Sequence, residues 1–370
     1  MSKLVLLGGG HAHLTILANL RQFAEEGHEV TVVQPADHHY YSGMGPGMLG
    51  GTYEPDQVRF NTLRIVERQG GIFVKDRAVS IDAQNRTVRL FSGVTLPYDL
   101  LSCNTGSSVP VRTISENIDS VIPVKPIEGL ARARKIISTR LKSSNLSIAV
   151  IGGGPSALEI AGNLRQLGDR IKGYELKIIL FSGRRLLADS TPWLQKNAQQ
   201  ILFSRRIELS EGSYVSSVQD GTVSLVNGNN YTFNLIFAAL GVEPSPLFAN
   251  SGLSVGNGIG LEVNRYLQST KHPEIFGGGD CIHFSEQPLD KVGVYAVRQN
   301  PVLLHNIRAS LRGEKLQGFE PGKKYLLIYN TGDAHGIFLK GSIRFTGRLA
   351  FMIKDYIDRR FMHRFKKLEH

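Results

Sequence analysis

Short uninterrupted runs of apolar residues alternate with glycine-rich turns along the chain, a pattern typical of parallel strands that are buried on both faces. The first run, at residues 4–7, leads through three glycines into a helical pattern at residues 14–20. A second apolar run follows at residues 29–33. This order of strand, glycine turn, helix and strand predicts a βαβ unit of the kind that binds a dinucleotide.

The same order of elements recurs further along the chain. A strand pattern at residues 148–151 runs into GGGPSA at residues 152–157, which fits the G-x-G-x-x-A form, and another strand pattern stands at residues 176–181. In both copies glycines let backbone N–H groups approach a pyrophosphate at a helix N-terminus, where the dipole favours an anion. Two copies predict two dinucleotide sites, commonly used for electron transfer between two cofactors. The candidate residues are Gly8 and Gly10, and Gly152, Gly154 and Ala157.

The rest of the pattern predicts one nucleotide-binding domain that is interrupted by another. Further strand patterns end at Thr105-Gly106, at Leu240-Gly241 and in the segment IFGGGDC at residues 275–281. We therefore expect an α/β fold with two Rossmann-like domains, the second inserted in the first. The first is expected at residues 1–112 and 246–318, the second at 113–245, and a C-terminal α/β segment at 319–367, while residues 368–370 resemble a purification-tag remnant.

Composition narrows the class of protein. The 370 residues are 41% hydrophobic and 20% charged, which is typical of a folded protein and argues against disorder. No uninterrupted apolar stretch approaches the ~20 residues that span a bilayer, and the first apolar run is too short for a signal peptide, so we expect a cytoplasmic protein. The two cysteines, Cys103 and Cys281, form no C-x-x-C pair, which excludes a dithiol centre of the usual spacing and a zinc cage.

The net charge of +11 is concentrated at the C-terminus. Residues 340–370 hold nine Lys and Arg against three acidic residues. Leu349, Ile353, Ile357, Phe361 and Phe365 recur at every fourth position, which predicts an amphipathic helix. A basic amphipathic helix is typical of an anchor on an anionic membrane surface, and the alternative is a helix that packs on its own domain or at a homodimer contact. No nucleic-acid-binding module accompanies the charge, so nucleic acid is not expected as a partner.

The sequence resembles flavoproteins of the pyridine nucleotide-disulfide oxidoreductase superfamily over essentially its whole length. The lack of a cysteine pair and the basic tail are similar to the type II NADH:quinone dehydrogenases. The segments GGGHAHL, HHYYSGMGPGMLGG, GVYAVRQNPVLLHNI and KDYIDRRFMHRF resemble a bacterial subgroup also found fused to selenide, water dikinase. The resemblance implies FAD in the first site and NADPH or NADH in the second, with electrons leaving the flavin for a quinone-like acceptor.

The resemblance also implies individual site residues. For FAD they are the pyrophosphate turn (Gly8, Gly10, His11 and His13), the loop over the ring (Tyr41 and Ser42) and the strand end beside the flavin nucleotide (Thr105 and Gly106). They also include the ribityl acid, Asp280, and the start of a helix at the pyrimidine edge, Asn300 and Pro301. Asn300 and Pro301 fit an N-cap and a first helical position, which is also the pattern of an ordinary capped helix. Gln299 beside flavin and acceptor, and Glu159 facing the nicotinamide, are the candidate catalytic residues.

The sequence departs from the family pattern in three places. Gln34 stands where relatives place an acid on the ribose, and an uncharged amide is expected to hold FAD more weakly. In the second site Arg184 and Arg185 follow the strand where an acid is usual, which favours the 2′-phosphate of NADPH over NADH unless they are surface charge. His13 replaces the third glycine, so we expect either a displaced helix or an imidazole turned towards the cofactor.

The same residues allow other interpretations. His11, His13, His38 and His39 invite a metal site, but no cysteine or acid stands at ligand spacing beyond the neighbouring Asp37, so no metal is expected. The function expected is an FAD-dependent NAD(P)H dehydrogenase acting on a quinone-like acceptor at the inner face of a membrane. A sulfide:quinone-type enzyme needs cysteines flanking the flavin, which the cysteine count disfavours. A redox-inactive nucleotide-binding partner of a selenium-handling kinase is the alternative from another class.

Overall fold

The computed structural model of the chain describes residues 1–256, 259–323 and 325–369. The strands are β1 (Lys3–Leu7), β2 (Glu29–Gln34), β3 (His38–Tyr40), β4 (Arg59–Asn61), β5 (Ile72–Lys75), β6 (Ala78–Asp82), β7 (Thr87–Leu90), β8 (Thr95–Pro97), β9 (Leu100–Cys103), β10 (Ser107–Ser108), β11 (Ile122–Pro123), β12 (Leu146–Ile151), β13 (Leu176–Ser182), β14 (Glu208–Glu211), β15 (Val215–Gln219), β16 (Thr222–Leu225), β17 (Asn230–Thr232), β18 (Leu235–Ala238), β19 (Glu243–Pro244), β20 (Val255–Gly256), β21 (Gly260–Val263), β22 (Ile275–Gly277), β23 (Ile282–Phe284), β24 (Leu327–Gly332), β25 (His335–Lys340) and β26 (Ile343–Gly347).

The α-helices are α1 (Leu14–Leu17), α2 (Leu20–Glu25), α3 (Gly45–Leu49), α4 (Thr62–Arg68), α5 (Glu128–Arg140), α6 (Pro155–Arg170), α7 (Pro192–Ser204), α8 (Leu247–Asn250), α9 (Gly293–Arg312) and α10 (Arg348–Lys366). No helix in the described ranges is long and apolar enough to cross a membrane.

Two five-stranded parallel sheets form the centre of the molecule. The first has the strand order β22-β9-β1-β2-β5 and the second the order β11-β18-β12-β13-β14. The strands β1 and β12 each lead through glycines into a helix and then into the adjacent parallel strand, β2 or β13. The predicted α/β fold with two Rossmann-type units is confirmed, and the second sheet lies between β9 and β22 of the first in the sequence.

A C-terminal unit joins the second nucleotide-binding unit to the first. The antiparallel strands β24, β25 and β26 form a sheet, and α10 follows it. Strand β24 packs against α6 so closely that a Cβ on Gly162 would lie 2.2 Å from the carbonyl oxygen of Thr331. In the same contact Asn163 donates to the carbonyl of Asn330 at 3.0 Å. Since α6 begins at the second glycine turn, the C-terminal sheet is fixed to the helix that supports that turn.

The helix predicted to begin at Pro301, with Asn300 as its N-cap, begins eight residues earlier, at Gly293, so this prediction of the N-cap and first helical position is wrong. Pro301 lies inside α9 on its exposed face, where water can solvate the carbonyl that proline leaves unbonded. Asn300 is buried, and its Oδ1 accepts a hydrogen bond from the backbone N–H of Thr15 at 2.9 Å. The Asn-Pro pair therefore fastens α9 to α1 instead of starting a helix.

Candidate functional site

The first glycine turn is held by a histidine that points into the protein. Gly8 has a φ of +88°, and residues His11–His13 form a 3-10 turn before α1 begins. The buried ring of His13 is 2.6 Å from the Gly8 carbonyl oxygen through Nδ1 and 2.8 Å from Ser102 Oγ through Nε2. Helix α1 begins directly after His13, at Leu14, and a displacement of this helix stays a prediction. The expectation that its imidazole faces a cofactor is wrong, because the ring joins β1 to β9.

Gln34 also stabilises the glycine turn from within. Its side chain is buried at the end of β2, and Oε1 accepts a hydrogen bond from the backbone N–H of Gly9 at 3.0 Å. Its Nε2 donates to the carbonyls of Ala36 and, at 3.2 Å, His38. The amide replaces the usual acid in a role that an acid cannot fill, since a carboxylate has no N–H to donate.

Asp280 stands beyond β22 among groups that stabilise its charge. Its Oδ2 accepts a hydrogen bond from Ser107 Oγ at 2.8 Å and forms an ion pair with Lys125, which also donates to Ser107 at 2.9 Å. Burial alone would raise the pKa of Asp280, but the Lys125 ammonium and these hydrogen bonds bring it below its usual value. Lys125 follows β11 of the second sheet, and no local motif marks it as a site residue.

The residues around this carboxylate fit a dinucleotide. His11 Nε2 and Thr105 Oγ1 are shielded from solvent without a hydrogen-bond partner, and such atoms are costly unless a ligand satisfies them. Gly106 follows with a φ of +69°. Because ligands of open α/β sheets bind at the carboxyl ends of the strands, the sheet order takes a dinucleotide from β2 over the turn after β1 to β9 and β22. The site is therefore suited to FAD.

A cluster of rings from three segments borders the same site. The rings of His11 and Tyr41 are 5.2 Å apart, and Phe361 of α10 stacks on both, at 5.8 Å from His11 and 4.7 Å from Tyr41. His39 contacts His11 edge-on. Burial lowers the pKa of His11 to about 4 and that of His39 to about 3, so both imidazoles are neutral at pH 7. The C-terminal helix thus contributes to the first site, which the sequence did not predict.

The Tyr41 hydroxyl donates a hydrogen bond to Asp358 Oδ1 at 3.0 Å, and Ser42 begins a short 3-10 turn beside it. Of the histidines considered as metal ligands, only His11 and His39 approach each other, with ring nitrogens 3.3 Å apart. Within the described ranges no group of three or more His, Cys, Asp or Glu side chains is arranged to hold a metal ion.

The second glycine turn opens on a large cavity. Gly152 has a φ of +146°, and a Cβ there would lie 2.2 Å from the Ala239 carbonyl oxygen, whereas Gly154 faces open space. Ala157 is fully buried and brings α6 against the sheet. A cavity of about 730 Å³ is lined by residues that include 152–155, 182–185 and Tyr214. It has room for a dinucleotide above the N-terminus of α6.

Two arginines lie at the edge of this cavity, as their position after β13 predicts. Arg184 and Arg185 are exposed, and Arg184 forms a bidentate pair with Asp189 at 2.7 and 3.2 Å. Ser182 occupies the end of β13, and its buried Oγ has no hydrogen-bond partner. The ring of Tyr214 lies against Gly183, where a Cβ would be 2.2 Å from the ring. This edge carries hydroxyl and guanidinium groups at the place where an acid would bind a ribose.

The two candidate catalytic side chains are well anchored. Gln299 is buried in α9, and its Oε1 accepts a hydrogen bond from the N–H of Gly279 at 2.7 Å, beside Asp280. Glu159 lies in the second turn of α6, and its Oε1 accepts from the N–H of Asn330 at 2.7 Å. Burial raises the pKa of Glu159 to about 7, against the opposing effect of the Lys354 ammonium. This carboxyl can therefore exchange a proton near neutral pH.

Comparison with known proteins agrees with this geometry. The type II NADH:quinone oxidoreductase of Staphylococcus saprophyticus is 25% identical, over 97% of this chain and 94% of that protein. Ferroptosis suppressor protein 1 of Xenopus tropicalis is 24% identical, over 88% and 85%. The structure of NDH2 from Plasmodium falciparum in complex with NADH has the same fold, with a TM-score of 0.83 at 14% identity and coverages of 98% and 96%. A family model for pyridine nucleotide-disulphide oxidoreductases matches residues 2–306, and the chain belongs to that family.

Proposed function

We propose that this protein is an FAD-dependent NAD(P)H dehydrogenase that passes electrons to a quinone-like acceptor at a membrane surface. FAD supplies the chemistry when it is bound, since it accepts a hydride from the nicotinamide and releases electrons to the acceptor. The protein residues bind and orient the two nucleotides and exclude water. The name of the Staphylococcus relative, a type II NADH:quinone oxidoreductase, agrees with this function.

The observation that carries the proposal is the meeting of both nucleotide sites at α10. Lys354 of α10 donates to Asp358 and to the Gly43 carbonyl, both at 2.8 Å, and Asp358 accepts from Tyr41 in the first site. Glu159, on the helix that supports the second glycine turn, lies within electrostatic range of Lys354. The helix behind the second turn and the loop beside the first turn thus meet at Lys354, and our proposal places the reactive ends of the two nucleotides near this contact. Reducing a quinone consumes one proton besides the hydride, and Glu159 is suited to hold it.

The electron donor favoured by the second site is NADPH. Arg184 and Arg185 stand where a 2′-phosphate would lie, and Ser182 offers a hydroxyl where NADH-specific sites place a carboxylate. Asp189 holds Arg184 in a bidentate pair, which fixes the guanidinium near the cavity edge. NADH is the competing donor.

The acceptor is proposed to arrive from a membrane. Helix α10 buries Phe351, Met362 and Phe365 and leaves Leu349, Met352 and Tyr356 exposed on another face. Of the residues that recur at every fourth position from Leu349 to Phe365, Phe361 and Phe365 pack inward and Leu349 is exposed. The exposed stripe lies among basic residues, which suits an anionic surface. We refer to Leu349, Met352 and Tyr356 as the α10 stripe.

Sulfide chemistry is disfavoured by the cysteines. Cys103 and Cys281 are both buried, and Cys281 Sγ lies 3.4 Å from the Cys103 carbonyl oxygen. Burial raises the pKa of both thiols, which makes them poor nucleophiles at neutral pH. The closer resemblance to the subgroup associated with selenide, water dikinase stays a prediction, as do a homodimer and a location on the inner membrane face.

Anaerobic reduction of the purified yellow protein tests the proposal. NADPH should bleach the flavin absorbance faster than NADH at equal concentration, and a quinone added afterwards should restore it. The variant Arg184→Ala/Arg185→Ala should lose at least about tenfold in bleaching efficiency with NADPH and little with NADH. Arg132→Ala, an exposed arginine of α5 outside the cavity lining, serves as the control. A protein that binds flavin but is bleached by neither nucleotide would refute the proposed function.

A further inference from the structure

The order of strands in the first sheet tells where the ring end of the bound flavin nucleotide lies. A dinucleotide that starts at β2 and crosses the turn after β1 continues over β9 to β22, since these strands are neighbours in that order. Asp280 follows β22, and α9 begins at Gly293 on the same side, with Gln299 of α9 bonded to Gly279. The ring end of FAD therefore points to the start of α9. This inference rests on the proposed function, because both require bound FAD.

A lysine stands at this position without a charged partner. Lys291 comes two residues before Gly293, and its ammonium donates a hydrogen bond to the carbonyl of Ile282. Among the described residues it forms no ion pair within 4.0 Å, and the neighbouring Asp290 instead accepts from the Tyr325 hydroxyl at 2.8 Å. Lys291 shares a small cavity with Asp280 and Gln299.

Two carboxylates, Asp280 and Asp290, line this cavity together with the Lys291 ammonium. Asp280 is neutralised by Lys125, through an ion pair that shares Ser107 as a common partner. Lys291 is the second ammonium within electrostatic range of Asp280, and burial lowers its pKa while Asp280 opposes that change. The helix N-terminus beside Lys291 adds partial positive charge of the same sign.

We propose that Lys291 is a positioning residue for the redox step, because its ammonium group, which is held by the Ile282 carbonyl and not by an ion pair, stabilises the negative charge that the flavin gains on two-electron reduction. Charge placed near the pyrimidine edge of a flavin is one of the means by which proteins set its reduction potential. A partly buried charge acts more strongly than an exposed one, since less water screens it. Lys291 thereby makes the flavin easier to reduce by a nicotinamide.

The test is the midpoint potential of bound FAD, measured by spectroelectrochemical titration with mediator dyes in place of NAD(P)H. Lys291→Met should lower the two-electron reduction equilibrium constant about tenfold, which corresponds to about 30 mV. Lys291→Arg should keep the wild-type potential, because it keeps the charge. Lys271→Met, at an exposed lysine of the same unit, should leave the potential unchanged.

A purely structural role for Lys291 gives a different result. If the lysine only fastens the Ile282 carbonyl, Lys291→Met lowers the melting temperature and leaves the potential of the remaining folded protein at the wild-type value, which would overturn the inference. Lys291→Gln retains a hydrogen-bond donor without the charge, so it gives the same answer where the methionine variant folds poorly. Flavin that is reduced by dyes but not by NAD(P)H refutes the proposed function alone, whereas a wild-type chain that takes up no FAD overturns both.

Discussion

The raised pKa of Glu159 makes the stability of the fold depend on pH. Burial raises its pKa from 4.5 to about 7, so the folded protein holds a proton that the unfolded chain releases above pH 4.5. The folded state then binds more protons between these values, and the contribution of Glu159 to stability falls as the pH rises through that range. Glu159→Gln removes this pH-dependent contribution to stability. Wild type should lose about 2 to 3 kcal/mol more than the variant in urea unfolding between pH 5 and pH 8.

Glu175→Gln, at an exposed glutamate of the same unit, is the control for this measurement and should follow wild type. Parallel pH profiles for wild type and Glu159→Gln would contradict the assignment of a raised pKa to Glu159. Glu159→Gln also lacks a carboxyl that can hold a proton near neutral pH, so the pH profile of quinone reduction should shift.

Single residues were predictable where a local motif dictates them. The glycines of both turns follow from the spacing of their motifs, because the backbone geometry of a tight turn leaves little choice of residue. Asp280 is implied by the family resemblance and not by spacing. Lys125, Asp358 and Phe361 reach the first site from distant segments, so nothing in their local sequence marks them. Gln34 was identified by position, but its amide serves the protein backbone, a use that depends on the local path of the chain after β2.

At the level of elements, the contact between α6 and β24 depends on a glycine. A Cβ on Gly162 would lie 2.2 Å from the Thr331 carbonyl oxygen, and backbone cannot move aside as a flexible side chain does. Gly162→Ala should therefore destabilise the protein by about 1 to 3 kcal/mol despite the better helix propensity of alanine. Urea unfolding followed by circular dichroism measures this change.

Gly129→Ala is the matched control in another helix. A Cβ at Gly129, in α5, would have only the Pro123 carbonyl oxygen at 3.8 Å, an ordinary contact. This variant should be neutral or more stable by up to about 1 kcal/mol, since alanine restricts the unfolded chain. Equal effects of the two substitutions would show that the α6–β24 contact opens without cost.

Helix α9 shows why element boundaries are harder to predict than element types. The pair Asn300-Pro301 matches a helix start in sequence, and the seven helix residues before it carry no equally strong start signal. The helix nevertheless extends through them, because Asn300 finds its partner in the backbone N–H of Thr15 and Pro301 faces solvent. Tertiary contact outweighs the local capping preference here, and the sequence of one segment does not contain that contact.

At the scale of the whole molecule, α10 has two roles on two faces. On one face, Phe361 stacks on the ring of Tyr41 and completes the first nucleotide site. Asp355 of α10 also accepts a hydrogen bond from the Tyr53 hydroxyl at 2.7 Å. Removing the helix would therefore damage the flavin site as well as any membrane contact, so truncation cannot separate the two roles. Substitutions confined to the α10 stripe can, because its side chains are 60% exposed or more.

The triple variant Leu349→Ser/Met352→Ser/Tyr356→Ser should bind anionic vesicles at least about tenfold more weakly than wild type, since each apolar side chain contributes up to about 1.5 to 3 kcal/mol when fully buried. Cosedimentation with phosphatidylglycerol vesicles measures this binding, and added salt should weaken what remains, because the neighbouring arginines act through screened charge.

Phe203→Ser, at a phenylalanine of α7 that is 86% exposed, is the control and should bind like wild type. Anaerobic bleaching by NADPH should be unchanged in the triple variant, which would show an intact flavin site. Undiminished vesicle binding would mean that the stripe faces something other than a membrane, with a second copy of the chain as the alternative that sedimentation velocity distinguishes.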